Sequence, residues 1–415
     1  MPDSFKGFFH RASDAVARYL VFDGDLKAVL SVSVVANSSD SLWTPLLGLY
    51  LTNNLSVPII MLGLMTTVQQ LVSSLVVFPS GLLSDVHGRK RLMILSMVSS
   101  VFALVTLFVV RDLPWLFLVS VFQGLGGAFM DPSLSAYVID VIPHEKRGIA
   151  YATLSFLLSL SDIVAAFVAS LIVGVFDFQW LFGAAIVLEF ISLVGAAFYL
   201  EESLSKETSL KRVRTKSDLR ETRKSLTMLK SPALLAVLFG VVFHQLGLGI
   251  QNPYLSVYAN RVLLFLPANV SLMLGLERLG IFIGQFPSGK IVDVYGEEIS
   301  FAFHILVTSP VMILYVFSGD FVFASLILFA WGLTFGLDSV SRQKLIAKYR
   351  SESGAAAAFG IISLISGLIS LISPMIGGWI WTNSSPEAVF YASAVINVLG
   401  SLPLFALWLH NRTKT

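Results

Sequence analysis

A helix that crosses a bilayer needs about 20 mainly apolar residues, because each residue advances about 1.5 Å against a hydrocarbon layer of about 30 Å. Runs of that kind recur along this whole chain and dictate what it can fold into. They fall at 27–51, 57–83, 91–111, 113–141, 147–175 and 177–200, then at 232–259, 267–293, 299–318, 320–346, 353–381 and 386–409. They read as twelve spanning helices in two blocks of six, an all-α membrane protein. Long unbroken runs favour helices over a β-barrel, whose strands alternate in and out over about ten residues. Composition agrees: 13% of the residues are charged, against about 25% in a soluble domain, so lipid must be the solvent for most of the chain.

The placement of charge gives the orientation. Lys and Arg gather at Arg89, Lys90 and Arg91, at Lys146 and Arg147, through 206–230, at Arg342, Lys344, Lys348 and Arg350, and at the C-terminus. The opposite connections hold only Arg111 and Arg261. This bias puts both termini in the cytoplasm. Five segments follow: an N-terminal stretch 1–26, a first six-helix half 27–201, a basic linker 202–230, a second half 231–410 and a short tail 411–415. Phe5, Phe8, Phe9, Ala12, Val16, Tyr19 and Leu20 have helical spacing, with Lys6, Arg11 and Arg18 on other faces. That pattern predicts an amphipathic helix on the inner leaflet rather than a cleaved signal peptide. The linker is a solvated tether with no nucleic-acid role. The chain has no cysteine, which excludes disulfides, thiolate metal sites and a cysteine nucleophile.

The two blocks are copies. "FPSGLLSDVHGRK" begins at Phe78, and "FPSGKIVDVYGEE" begins 208 residues later at Phe286. At the same offset, Ala28-Val29-Leu30 matches Ala236-Val237-Leu238, Pro45 matches Pro253, Tyr50 matches Tyr258, and Leu64-Met65 matches Leu272-Met273. The offset then drifts by one or two: Asp131 pairs with Asp338, and Gly148 with Gly354.

Gly81-x-x-x-Asp85-x-x-Gly88-Arg89-Lys90, after the second helix, resembles the signature loop of the major facilitator superfamily. "DVIPHEKRGIA", from Asp140 to Ala150, resembles that family's connection between helices four and five. The likeness spans the chain and implies a transporter of two pseudo-symmetric halves that rock about a central cavity. It implies that Asp85 meets the start of helix eleven, near Ser351 to Gly354, and that Arg89 pairs with Asp140. A carboxylate suits a helix N-terminus because free amides and the dipole favour negative charge there. In the second copy Asp293 and Gly296 keep their places, but Glu297 and Glu298 replace the two bases. Lys348 lies 208 residues after Asp140, which predicts a salt bridge of reversed polarity, Glu297 with Lys348 or with Arg350.

A charge near the bilayer centre costs roughly 2.5–3.5 kcal/mol on insertion scales and persists where it pairs, lines a water-filled cavity or carries function. Asp40 lies midway along helix one, Asp162 along helix five, and Asp131 in helix four. These are the proton-coupling candidates, Asp40 first, since a carboxylate in a low-dielectric cavity is suited to proton exchange. The resemblance places helices one, four, seven and ten around the cavity. Asn37, Trp43, His244 and Gln245 are candidates for its wall, with Glu277 and Arg278 of helix eight. Glu189, on helix six, reads as structural, and each histidine reads more readily as a packing residue than as a ligand. Pro45, Pro132, Pro253 and Pro374 predict helix irregularities.

No enzyme reading survives: there is no phosphate-binding glycine loop followed by Lys and Ser or Thr, no metal-ligand spacing and no assembled catalytic triad. No cofactor is expected. The leading function is proton-coupled efflux of amphiphilic or drug-like small molecules by a monomer in a prokaryotic inner membrane. Two departures stand against it. Drug exporters of the family usually carry an Arg where Ser120 stands, and a Gly-Pro pair where helix five reads "SLSDIVAAFVAS". Proton-coupled symport of a polar or anionic metabolite, and an uncoupled lipid translocator or sensor, remain open beside it.

Overall fold

The structure is a computed structural model that describes residues 24–142, 146–203, 231–348 and 355–413. The amphipathic stretch 5–20, the linker from 204, Arg350, and the start of helix eleven at 351–354 lie outside those residues.

All regular structure among the described residues is helical. The first element, α1, is Gly24–Trp43. It continues through a 3-10 turn at Thr44–Leu46, a short helix at Leu47–Leu49 and a π turn at Tyr50–Asn54. Then come α2 (Ile59–His87), α3 (Arg89–Val109), α4 (Leu113–Val141), α5 (Arg147–Val175) and α6 (Phe178–Tyr199). The second set is α7 (Pro232–Arg261), α8 (Pro267–Tyr295), α9 (Glu297–Val316) and α10 (Phe321–Lys348), followed by α11 (Ala355–Ser370, resuming as Ser373–Asn383) and α12 (Pro386–Arg412). Among the described residues ten of these helices are long and apolar enough to cross a membrane. The two long helices outside that group are α1, which carries Lys27 and Asp40, and α8, which carries Glu277, Arg278, Lys290 and Asp293. Four of these charges, Asp40, Glu277, Arg278 and Asp293, are candidate site residues.

Two of the four prolines produce the expected irregularity. Pro45 sits in the 3-10 turn that interrupts the first helix, and Pro374 sits where α11 resumes after its break. Pro132 and Pro253 lie inside continuous α4 and α7.

The chain forms two compact units. One comprises residues 1–44 and 68–216, the other 45–67 and 217–415. In the first, α1 packs on α5 and α6, and α3 on α4 and α6. Its core includes Val29, Leu30, Met93, Met97, Tyr137 and Val138. In the second, α7 packs on α11 and α12, and α9 on α10 and α12. Its core includes Val237, Val241, Phe301, Ile305, Leu345 and Leu404. Each pairing in the first unit thus recurs six helices later.

The repeat extends to backbone detail. After α1, Leu55 N donates to Tyr50 O and Val57 N to Leu51 O; after α7, Leu263 N donates to Tyr258 O and Phe265 N to Ala259 O. Between those bonds Ser56 (φ 54°) and Leu264 (φ 60°) take the left-handed conformation, a common way to close a helix C-terminus. Gly88 and Gly296, at φ 105° and 96°, join α2 to α3 and α8 to α9. Every one of these pairs is 208 residues apart.

Candidate functional site

The signature loop is held by Arg89, which is fully buried. Its guanidinium meets Asp85 Oδ1 at 2.6 Å, one helical turn back, and donates through Nε to Asp140 Oδ2 at 3.1 Å on α4. Nη1 donates to Ser84 Oγ at 3.2 Å. Two carboxylates and a hydroxyl supply what burial of a guanidinium demands. The backbone N–H of Arg89 donates to Glu202 Oε1 at 2.7 Å, so a carboxylate caps the positive end of α3. Lys90 Nζ donates to Ala197 O at 2.8 Å. Gly81 has open space around it.

The second copy carries the reversed arrangement. Lys348 Nζ lies 2.6 Å from Glu297 Oε1 and 2.8 Å from Glu298 Oε1. Glu298 also accepts from Asn411 Nδ2 at 3.0 Å. Asp293 has no base one turn on, and pairs instead with Lys344 of α10. The sequence pointed to Glu297 as the partner of Lys348; Glu298, the more buried of the two, takes an equal part.

The intramembrane polar residues of the first unit separate into two groups. Asp162 accepts from Asn37 Nδ2 and from Ser41 Oγ, both at 2.6 Å. Asn37 Nδ2 also reaches Ser161 Oγ at 2.8 Å. Asp162 and Asn37 therefore tie α5 to α1. Asp40 lies one turn from Asn37, and both reach the same cavity. That cavity, of about 160 Å³ inside the bundle, has Asp131, Glu189, Ser33, Ser96 and Ser100 among its walls. Asp40 and Asp131 expose surface to it, whereas Glu189 is 1% exposed and its Oε2 has no hydrogen-bond partner. Glu189, read as structural from the sequence, is thus the third carboxyl of this cavity. Trp43 is fully buried against Phe182 and is not part of the cavity lining.

In the second unit His244 is buried at 1% exposure, and its Nδ1 pairs with Asn397 Oδ1 at 2.7 Å. Its ring packs edge-on against His304, centroids 5.0 Å apart. His304 Nδ1 pairs with Thr334 Oγ1 at 2.8 Å. Asp338 takes Arg342 at 3.2 Å. Glu277 is buried on α8, and its chain neighbour Arg278 is exposed. Gln245, beside His244, is half-buried. His304 and Asn397 were not singled out as site residues from the sequence. The repeat offset was the available signal, since 208 residues separate Ser96 from His304 and Glu189 from Asn397. Among the described residues no group of three His, Asp or Glu side chains is placed to hold a metal ion.

Comparison with known proteins agrees with this geometry. The family model described as Major Facilitator Superfamily matches residues 29–247 and 237–415. The multi-drug resistance efflux pump PmrA of Streptococcus pneumoniae serotype 4 is 22% identical over 321 residues, 76% of this chain and 78% of that protein. Multidrug resistance protein 2 of Bacillus subtilis strain 168 is 24% identical over 347 residues, 81% of this chain and 84% of that protein. Among solved structures, the nucleoside transporter NupG superposes with a TM-score of 0.76 at 13% identity, covering 93% of this chain and 99% of that one. With the family pattern matched over both halves and ten apolar spanning-length helices among the described residues, this chain is a multi-pass inner-membrane transporter, not an enzyme, and it belongs to the Major Facilitator Superfamily.

Proposed function

We propose that the protein is a twelve-helix exporter with cytoplasmic termini, which moves amphiphilic or drug-like small molecules outward by alternating access in exchange for protons. The observation that carries this reading is the polar cavity inside the first bundle. It sits at mid-helix depth, is walled by Asp40, Asp131 and Glu189, and has no basic side chain among the described residues of its lining. Carboxyl groups held at membrane depth beside water-sized space are what a proton path requires. The names of the efflux-pump relatives favour drug-like cargo over a nutrient. Asp40 carries the exchange at the cavity surface, while Asp162 serves the α1–α5 tie that keeps the cavity walls in place.

The test is proton movement in proteoliposomes loaded with a pH-sensitive dye under an imposed pH gradient. A panel of lipophilic cations, sugars and organic acids is added one at a time. A lipophilic cation should release protons from an acidic lumen, and Asp40→Asn should abolish that release. If protons instead accompany a sugar or an organic acid in the same direction, the protein is a symporter. If labelled substrate crosses and no compound moves protons, coupling is absent.

A further inference from the structure

Glu189 has no reason to be an acid on packing grounds. The residue 208 positions later, Asn397, occupies the matching place on α12 as a neutral amide. It is fully satisfied there: it meets His244 Nδ1 at 2.7 Å and donates through Nδ2 to Ser393 O at 2.9 Å. Glu189 lacks such a network. Ser39 is within reach of the carboxyl, but a hydroxyl has one proton, and Ser39 Oγ donates to Ala185 O at 2.9 Å. Ser192 Oγ likewise donates to backbone, at 3.0 Å from Val32 O. Leaving a buried polar atom without a partner is costly, and more so for a charged group.

Among the described residues the surroundings offer no protein cation. Asp40 of α1 shares the cavity wall with Glu189, and its chain neighbour Ser39 bonds Ala185 O, one turn from Glu189 on α6. On the cavity walls α1 otherwise contributes Ser33 and Asn37, α3 contributes Ser96 and Ser100, α4 contributes Asp131, and α5 contributes Leu158. Asp162 of α5 is turned to Asn37 and Ser41, and Arg89 is committed to Asp85 and Asp140. Two carboxyls that share one site do not both stay ionised; one proton between them removes the repulsion.

We infer that Glu189 and Asp40 form a carboxyl pair that holds one exchangeable proton, with Asp40 as the cavity-facing member and Glu189 as the buried one. The proton enters from cavity water at the Asp40 carboxylate, is shared with Glu189, and leaves by the same face. No bond other than O–H forms or breaks. The inference rests on the proton-coupled reading above and deepens it: the coupling site becomes a pair on α1 and α6 rather than a lone aspartate.

Infrared spectroscopy of the full-length protein in nanodiscs tests this without any transported compound. At about neutral pH the unsubstituted protein should show a protonated-carboxyl band that shifts in heavy water. Asp40→Asn and Glu189→Gln should each remove or displace that band, and Glu189→Asp should retain it. Sodium or lithium chloride should leave it unchanged. The inference fails if the band is missing, if it resists heavy water, or if only one of the two amide variants affects it. It also fails if an alkali cation replaces the proton, which would make the cavity a metal-cation site. A band that behaves as expected while no compound drives proton movement would leave the pair standing and remove the exporter reading. Drug-driven proton release with no such band would do the reverse.

Discussion

Gly88 and Gly296 hold equivalent places in the two copies of the signature loop, but a methyl group would meet different surroundings at each. Both have a positive φ, 105° and 96°, so alanine at either position is strained by about 1–3 kcal/mol. A Cβ at 88 would also collide with the carboxylate of Glu202. That carboxylate cannot retreat without losing its bond to Arg89 N, which caps α3. The nearest atom to a Cβ at 296 is 3.8 Å away. Gly88→Ala should therefore lower the thermal midpoint more than Gly296→Ala, by the equivalent of a lost cap, about 1 kcal/mol. Equal shifts in detergent melts would show that Glu202 does no capping. Lys348 supplies a second residue-level test. It serves Glu297 and Glu298 together, so Lys348→Glu should lower the melting midpoint. Adding Glu297→Lys should restore it only in part, because Glu298 still faces the new acid. With Lys348 nearly half exposed, the effect is about 1 kcal/mol. Full restoration would mean that Glu298 contributes nothing.

At the level of elements, α8 and α10 touch through small residues. A Cβ on Gly332 would collide with Glu277 O and lie 2.9 Å from Ile281 N. Backbone cannot rotate aside as a side chain does, and membrane helices rely on such close approach. The first repeat has the same crossing, where a Cβ on Gly124 would meet Gln69 O at 2.5 Å. Gly332→Ala should cost about 1–3 kcal/mol by overpacking. Gly289→Ala, on the same α8 with nothing within 4 Å, should be neutral or stabilise by up to about 1 kcal/mol. A melt comparison decides: if both alanines behave alike, the crossing tolerates separation. Much of the element layout was legible in the sequence, because apolar runs and the 208-residue echo are written locally. The partners of buried polar groups were not. Glu189 looked structural because the family resemblance puts helix six against lipid or scaffold, and its cavity exists only once α1, α3, α4, α5 and α6 are assembled around it. The left-handed caps at Ser56 and Leu264 were equally hidden, since neither is glycine.

For the whole molecule, the repeat yields a tie between corresponding helix ends in the second compact unit. Asn53 Nδ2 donates to Asn260 Oδ1 at 2.5 Å, and Arg261 Nε donates to Asn53 Oδ1 at 3.1 Å. Arg261 also donates to the carbonyl of Thr52. Residues 52 and 53 are the repeat equivalents of 260 and 261, so one helix end meets its own copy. On the exporter reading proposed above, alternating access breaks and re-forms this tie between the starts of the two repeats in each cycle. The absence of any cysteine makes this directly testable, because introduced thiols have no native competitors. Asn53→Cys combined with Asn260→Cys, joined by a short bifunctional thiol reagent, should stop substrate efflux from proteoliposomes. A reagent with an internal disulfide should allow recovery on reduction, and either single cysteine should transport normally after treatment. Efflux that continues through the cross-linked protein would show that these helix ends stay together throughout the cycle, and the opening would then have to be sought elsewhere.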